Sequence, residues 1–136
     1  MNEINLDELF AEARKAADFA YARYSKFRVG AALLASDGTV ITGCNVENRS
    51  FGLTVCAERN AVFKAVSLGK RSFIALAIST PDSEIPVGPC GACRQVLSEF
   101  MPPTAPVLFG GSGTEKVKTT IGALYPFDSL HDLGSS

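Results

Sequence analysis

The sequence predicts an α/β protein, a three-layer α/β/α sandwich in which helices cover both faces of a mixed sheet. Two observations support this fold class. The chain has 136 residues, which suits a single domain and lets a core close without disulfides or a structural metal. Its hydrophobic patterning gives the element order αββαβαββ, in which helices separate most of the strands. We therefore expect residues 1–136 to form one domain around a mixed five-stranded sheet.

Local signals mark where the helices and strands begin and end. Asn5, followed three residues later by Glu8, resembles a capping box before a run of apolar residues at helical spacing. The Asp37-Gly38 pair is a hairpin signal between two extended stretches, and Gly69 stops a second amphipathic helix. The predicted elements are a helix from 6 to about 21, strands 29–35 and 40–44, a helix 56–68, a strand 73–80, a helix that starts at Cys90 and ends before Pro102, strands 106–109 and 116–120, and a short helix 121–124.

Composition and charge exclude several classes of function. The chain carries 13 Lys+Arg against 14 Asp+Glu, with a formal net charge of −1 and a pI near 5.8, so it lacks the basic surface that binds nucleic acid. No stretch reaches the roughly 18 apolar residues of a membrane span, and the first residues do not resemble a signal peptide. We therefore expect a soluble, cytoplasmic protein with neither nucleic-acid nor membrane partners, whose four cysteines are thiols.

Cysteine spacing predicts a metal site. Cys90 and Cys93 form a C-x-x-C motif at the start of a predicted helix, where their side chains share one face and the helix N-terminus stabilises thiolates. A catalytic zinc site has three protein ligands and leaves a fourth position for water, so one more ligand is needed. His131 stands alone among expected surface residues, and we interpret it as solvated. The third ligand is therefore Cys44 or Cys56.

Two features favour Cys56 over Cys44. Cys56 also begins a predicted helix, and Glu58 follows it two residues later, where a carboxylate can act as a general acid and base. Zinc-dependent deaminases have the signature H-x-E followed by P-C-x-x-C, with a three-cysteine variant, and their Glu moves protons without binding the metal. In this chain the two halves of that signature are Cys56-Ala57-Glu58 and Pro89-Cys90-Gly91-Ala92-Cys93.

On these motifs the chain resembles the cytidine deaminases of the small, homotetrameric, three-cysteine kind, over essentially its whole length. Further stretches that carry the resemblance are Tyr24-Ser25-Lys26-Phe27, Val29-Gly30-Ala31-Ala32, Gly43-Cys44-Asn45-Val46-Glu47-Asn48, Cys56-Ala57-Glu58-Arg59 and Pro89-Cys90-Gly91-Ala92-Cys93-Arg94-Gln95-Val96. The resemblance implies the fold of that family, a mixed five-stranded sheet with helices on both sides, and one Zn²⁺ per subunit. It also implies hydrolytic deamination of cytidine and 2′-deoxycytidine to uridine and 2′-deoxyuridine, with release of ammonia, in pyrimidine salvage. The expected assembly is a homotetramer with shared active sites.

The resemblance assigns the catalytic roles to matching positions. Cys56, Cys90 and Cys93 would bind zinc, and Glu58 would carry protons between water and the pyrimidine ring. A zinc ion with three thiolates has a formal charge of −1, so a cation beside the sulfurs is needed to keep the site a good Lewis acid. Arg59 is expected to compensate this charge, as its counterpart does in the family, and Arg94 is a second candidate because it adjoins Cys93.

Substrate contacts are also carried over from the resemblance. Phe27 would pack against the pyrimidine, Asn45 and Glu47 would hold the ribose, chiefly its 3′-hydroxyl, and Ala57 would contribute its backbone. Considered without the family, Asn45 and Glu47 are equally typical of a turn, and Phe27 is also compatible with a core position under the first strand. Cys44 is interpreted as a small buried packing residue near the site.

Two aromatic residues, Phe51 and Phe127, are candidates to close the pocket of a neighbouring subunit. Phe51 stands where the family pattern has tyrosine. The segment Leu124-Tyr125-Pro126-Phe127 is tighter than the leucine-proline-x-x-phenylalanine ending of the family, so packing of Phe127 in its own core is the alternative.

Other functions compete with this interpretation. A related aminohydrolase that acts on blasticidin S has nearly the same zinc motifs, although the stretches 24–27 and 45–48 favour the nucleoside enzyme. A zinc-stabilised binding module and a redox C-x-x-C protein belong to different classes, and Glu58 beside a metal ligand argues against both. A free nucleoside fits better than a nucleotide, because neither a glycine-rich phosphate loop nor a basic cluster accompanies these residues.

Overall fold

The computed structural model describes residues 4–128, and it confirms the predicted α/β class and the order of the elements. The elements are α1 (Leu6–Ala17), β1 (Gly30–Ala35), β2 (Val40–Cys44), α2 (Ala57–Ser67), β3 (Phe73–Ser79), α3 (Gly91–Phe100), β4 (Pro106–Gly110), β5 (Lys116–Thr120) and α4 (Ile121–Leu124). A single 3₁₀ turn, Phe51–Leu53, lies between β2 and α2. The Asn5 side chain accepts a hydrogen bond from the Glu8 N–H, as the capping signal predicted.

The five strands form one mixed sheet in the order β2-β1-β3-β4-β5. β1 pairs antiparallel with both β2 and β3, β3 pairs parallel with β4, and β4 pairs antiparallel with β5. Gly30 at the start of β1 is paired with Cys44 at the end of β2 and with Ser79 at the end of β3. The three chain segments that carry the predicted site residues, 24–29, 45–56 and 80–90, therefore leave the sheet at the same end.

Alternate residues of the strands face the two helical layers. In β1, Ala31 and Leu33 contribute to the larger core beneath α2 and α3, whereas Ala32 packs with Leu9 and Ala13 of α1. In β3, residues 75–78 follow the same period of two, which is how a strand covered on both faces distributes its side chains. The layers are therefore α1 on one face of the sheet and α2 with α3 on the other, as predicted.

Two glycines let the helices lie close to the sheet. A Cβ at Gly43 of β2 would lie 2.5 Å from the N of Ala61 and 2.6 Å from the O of Ala57, both in α2. A Cβ at Gly30 would lie 1.9 Å from the O of Ala13 in α1. These distances are too short for real contacts, so glycine at position 43 sets the height of α2 above the sheet.

The first helix ends earlier than predicted, at Ala17 rather than near residue 21. The Tyr21 N–H donates to the Asn45 carbonyl at 3.0 Å, and the Tyr21 carbonyl accepts from the Glu47 N–H at 2.8 Å. Pairing with the segment after β2 therefore replaces the continuation of the helix that the apolar spacing indicated. Within residues 4–128, no helix is both long enough and apolar enough to span a bilayer.

Candidate active site

Three cysteine side chains converge at the N-termini of α2 and α3. Cys56 is the N-cap residue of α2, Cys90 is the N-cap residue of α3, and Cys93 lies buried in the first turn of α3. The Sγ atoms of Cys56 and Cys90 are 3.8 Å apart, and all three sulfurs lie within 4.8 Å of one another. In a tetrahedral site with Zn–S bonds of about 2.3 Å, two sulfurs are about 3.8 Å apart. The donor set and its spacing therefore fit a zinc ion.

The electrostatic surroundings favour negative charge on these sulfurs. The N-termini of two helices point at the cluster, and the Cys90 sulfur accepts a hydrogen bond from the Cys93 N–H at 3.5 Å. Hydrogen bonds from the Cys93 thiol, from Arg59 and from Cys90 lower the pKa of the Cys56 thiol to about 5, against the opposing effect of burial. The same hydrogen bond with Cys56, together with burial, raises the pKa of Cys93. These contacts therefore favour a thiolate at Cys56.

Glu58 is a buried carboxyl group beside the cluster. It lies in the first turn of α2, is 4% exposed, and its Oε1 has no hydrogen-bond partner among the residues that the structure describes. Burial raises the pKa of Glu58 to about 7, and the nearby charge of Cys56 adds to this rise. Leaving a buried carboxyl oxygen unpaired costs stability. A group in this state is suited to exchange protons with a bound molecule.

The two candidate arginines have different partners. The Arg59 guanidinium donates to the Cys56 Sγ at 3.5 Å, and the neighbouring sulfurs raise the pKa of Arg59. Arg94 donates instead to the Pro89 carbonyl at 2.8 Å and to the Leu124 carbonyl at 3.2 Å. Of the two arginines, Arg59 therefore contacts the sulfur cluster, whereas Arg94 joins the start of α3 to the end of α4.

One residue that places α2 was missed by the sequence reasoning. The Asn60 side chain donates to the Cys44 carbonyl at 2.8 Å and to the Val55 carbonyl at 3.4 Å. It therefore ties the first turn of α2, which carries Glu58, to the end of β2. Asparagine inside a helix, where its propensity is poor, was the available signal.

The expected ribose residues bind the segment before β1. Asn45 donates to the Phe27 carbonyl and accepts from the Val29 N–H, each at 2.8 Å. The Glu47 carboxylate accepts from the N–H groups of Tyr24 at 3.0 Å and Ser25 at 3.1 Å, and from the Ser25 hydroxyl. Both side chains are buried at the end of β2 and hold the segment that contains Phe27, which is itself partly buried.

Comparison with known proteins agrees with this geometry. The model of the family "Cytidine and deoxycytidylate deaminase zinc-binding region" matches residues 4–109. The chain belongs to this family. A cytidine deaminase of Sporosarcina psychrophila is 52% identical over 123 residues, which are 90% of each chain, and one of Halalkalibacterium halodurans is 49% identical over 118 residues, which are 87% of this chain and 89% of the relative. The crystal structure of the cytidine deaminase from Burkholderia pseudomallei superposes with a TM-score of 0.86 at 44% identity, covering 91% of this chain and 98% of that one.

Within the family, similarity to the enzyme named in the alternative interpretation is lower. A blasticidin-S deaminase of Bacillus cereus is 37% identical over 109 residues, 75% of this chain and 76% of the relative. The family match also removes the two interpretations outside the deaminases, the binding module and the redox protein. The C-x-x-C motif of this chain is therefore part of a zinc-binding deaminase region.

The remaining predicted residues are placed as follows in this member of the family. Ala57 is fully buried as the first residue of α2, where the helix itself provides no acceptor for its N–H. Phe51 is 73% exposed with its ring 5.8 Å from that of Tyr24, and Phe127 is fully exposed, so the alternative of a core position for Phe127 is wrong. Cys44 is only partly buried, and burial raises the pKa of its thiol. His131 lies outside the described residues.

Proposed function

We propose that this protein is a zinc-dependent cytidine deaminase that converts cytidine and 2′-deoxycytidine, with water, into uridine or 2′-deoxyuridine and ammonia. The observation that carries this proposal is the unpaired, buried carboxyl of Glu58 beside three converging cysteines. Similarity to cytidine deaminases over most of the chain supports the same substrate class.

Glu58 performs the proton transfers. Cys56, Cys90 and Cys93 would hold a zinc ion, whose Lewis acidity would lower the pKa of the attacking water towards neutrality. Glu58 accepts a proton from the attacking water and delivers it to ring N3, while the water oxygen adds to C4 of the pyrimidine. It then takes the hydroxyl proton at C4 and gives it to the amino nitrogen, so that ammonia leaves and the C4 carbonyl forms. One carboxyl thus serves both halves of the reaction.

Arg59 compensates the charge of the ligand set. Three thiolates and one Zn²⁺ carry a formal charge of −1, which weakens the metal as a Lewis acid compared with a set that contains neutral imidazole. The hydrogen bond of Arg59 to Cys56 withdraws charge from one sulfur. Arg59 would therefore act through the Cys56 sulfur to keep the ligand set suited to a Lewis-acidic zinc ion.

Asn45 and Glu47 bind the ribose with the hydrogen-bonding capacity that they have left. Glu47 Oε1 accepts two N–H groups and Oε2 accepts one hydroxyl, which leaves an acceptor site on Oε2. Asn45 has one donor proton and one lone pair beyond its bonds to Phe27 and Val29. Both residues can therefore receive a sugar hydroxyl while they hold the segment that brings Phe27 to the pyrimidine. The backbone N–H of Ala57 is the remaining proposed contact.

The proposed assembly is a homotetramer in which a neighbouring subunit closes each pocket. Phe51, which is 73% exposed and has its ring 5.8 Å from that of exposed Tyr24, supports this proposal, because neighbouring exposed apolar side chains are typical of surfaces that become covered. Phe127 is fully exposed and is therefore free to reach a neighbouring subunit. We further propose that the enzyme acts in the cytoplasm, in pyrimidine salvage.

The test is turnover of Glu58→Gln against that of the unaltered enzyme. Glutamine keeps the shape but cannot carry the proton, so we expect zinc content and cytidine binding to persist while kcat falls by several powers of ten. Glu99→Gln is the matched control, since it makes the same change at an exposed position of α3. Deamination of cytidine, of 2′-deoxycytidine and of blasticidin S is measured in separate assays by the loss of ultraviolet absorbance.

The two possible negative results test different parts of the proposal, the role of Glu58 and the substrate class. Undiminished cytidine turnover by Glu58→Gln refutes the role of Glu58. Conversion of blasticidin S without conversion of either nucleoside refutes the proposed substrate class and leaves the chemistry of the site intact.

A further inference from the structure

The backbone of residues 24–29 is held largely by side chains from outside the segment, which accept from four of its N–H groups. Each of its six backbone N–H groups has an acceptor. The N–H groups of Tyr24 and Ser25 donate to the Glu47 carboxylate at 3.0 and 3.1 Å, that of Arg28 donates to Asp82 at 2.9 Å, and that of Val29 donates to the Asn45 side chain at 2.8 Å. The other two donate locally, Lys26 to the Ala22 carbonyl at 2.8 Å and Phe27 to the Ser25 hydroxyl at 3.0 Å. Lys26 adopts a left-handed conformation with φ of +61°, which costs of order 1 kcal/mol in a non-glycine residue. The surrounding contacts therefore impose one conformation on this segment.

Asp82 differs from the other anchors in where it comes from. Asn45 and Glu47 follow β2, whereas Asp82 follows β3 in the chain that leads to the metal ligand Cys90. Its carboxylate accepts from the Arg28 Nε at 3.0 Å and from the second guanidinium nitrogen at 2.8 Å, in addition to the Arg28 backbone N–H. The Arg28 guanidinium thus binds the Asp82 carboxylate through two nitrogens, and Asp82 also accepts from the backbone N–H directly after Phe27.

The loop that carries Asp82 is itself anchored to the turn after β4. The Ser83 carbonyl accepts from the Ser112 N–H at 2.7 Å, and the Glu84 carbonyl accepts from the Gly113 N–H at 3.2 Å. A Cβ at Gly111 would lie 2.0 Å from the Ser83 oxygen, so the two loops are in close contact. The loop that carries Asp82 is therefore held in place by the turn after β4.

We propose that Asp82, acting through Arg28, is a positioning residue that holds the 24–29 segment, and with it Phe27, in register with the loop that delivers Cys90. This proposal rests on the proposed function, because it takes Phe27 to be a wall of the nucleoside pocket. The pair is half-exposed, so its direct contribution to the free energy of unfolding is small. Its effect should therefore fall on substrate binding rather than on stability.

The experiment compares Asp82→Ala with Asp37→Ala. Asp37 likewise combines an ion pair, with Lys70, and a hydrogen bond from a backbone N–H, that of Thr39 at 3.0 Å. It lies, however, in the β1–β2 turn at the opposite end of β2 from Cys44. For Asp82→Ala we expect KM for cytidine to rise about 10-fold with kcat within about threefold of the unaltered enzyme. Zinc content should be unchanged, and Asp37→Ala should leave KM unchanged.

Two further measurements separate positioning from a general structural role. Asp82→Asn keeps an acceptor oxygen for the Arg28 N–H and should restore part of the KM loss. Hydrogen–deuterium exchange should show faster exchange in the 24–29 segment of Asp82→Ala, with the amides of β1 and β3 unchanged.

The proposal is overturned if KM and the exchange of the 24–29 segment both stay as in the unaltered enzyme. It is also overturned if Asp82→Ala loses zinc and kcat at an unchanged KM, since Asp82 would then serve the metal loop alone. If the unaltered zinc enzyme does not convert cytidine, the proposed function fails by itself. The hold of Asp82 on the segment is then decided by the exchange data, which need no substrate.

Discussion

Substitution of Gly43 by alanine tests whether the closeness of α2 to the sheet sets the catalytic geometry. The added Cβ would lie 2.5 Å from the N of Ala61, whereas ordinary contacts begin at 3.4 Å, so α2 must retreat by about 0.9 Å. Cys56 and Glu58 move with the start of that helix. Overpacking of this kind costs about 1–3 kcal/mol of stability, and a displacement of about 1 Å at a reacting group costs about 100-fold in rate. We expect kcat/KM to fall by about that factor.

Three measurements on Gly43→Ala check this expectation: kcat/KM for cytidine, zinc per subunit after dialysis, and the free energy of unfolding in urea. Gly30→Ala is the matched control, because its Cβ would lie 1.9 Å from the O of Ala13 on the opposite face of the sheet. It should destabilise the fold at least as strongly through α1, yet leave the sulfur cluster and its zinc content intact.

Two results would refute the reasoning about Gly43. The first is that Gly43→Ala keeps its zinc and retains kcat/KM within about threefold of the unaltered enzyme, instead of losing about 100-fold. The other is an equal loss of zinc in Gly43→Ala and Gly30→Ala, because general destabilisation would then explain both.

The remaining predictions concern the surroundings of the metal ligands. Arg59→Gln should lower kcat/KM by about 10- to 100-fold at unchanged stability, as is typical for partners of metal ligands, whereas Arg94→Gln should lower the midpoint of urea unfolding, because it frees two carbonyls. Equal activity of the two variants would contradict the assignment of Arg59. Asn60→Asp should lower the free energy of unfolding by about 2 kcal/mol, since an acceptor would then face the Cys44 carbonyl. An unchanged midpoint of urea unfolding would show that the hydrogen bond from Asn60 to the Cys44 carbonyl contributes nothing to the free energy of unfolding.

The metal-binding part of the site could be predicted because its requirements are local. Cys90 and Cys93 must share a helix face, Cys56 must begin another helix, and Glu58 must follow it by two residues. These are spacings along one chain, and each can be identified from a few consecutive letters. The fold was equally accessible, since a strand covered on both faces is a short continuous apolar run, whereas an amphipathic helix has apolar residues at spacings of three and four.

The end of α1 could not be predicted in the same way. Apolar residues at helical spacing continue past Ala17 to Tyr21, and this spacing by itself predicts a longer helix. The backbone of Tyr21 instead pairs with the segment at Asn45 and Glu47. A contact between segments more than twenty residues apart thus overrode the local pattern. The helix sequence alone does not indicate that Tyr21 will pair with the segment after β2.

The walls of the pocket were harder to predict than its metal ligands for a chemical reason. A zinc ion accepts a short list of donor atoms in one geometry, so few residue types can satisfy it. A backbone N–H, by contrast, can donate to almost any oxygen acceptor. In the 24–29 segment two N–H groups donate to Glu47, one to Asn45 and one to Asp82, and these acceptors differ in side chain or come from different loops. No spacing rule connects Arg28 with Asp82, which lie 54 residues apart. Residues that hold the proposed pocket wall are therefore visible only once the fold has brought donor and acceptor together, whereas the metal ligands can be identified from the sequence.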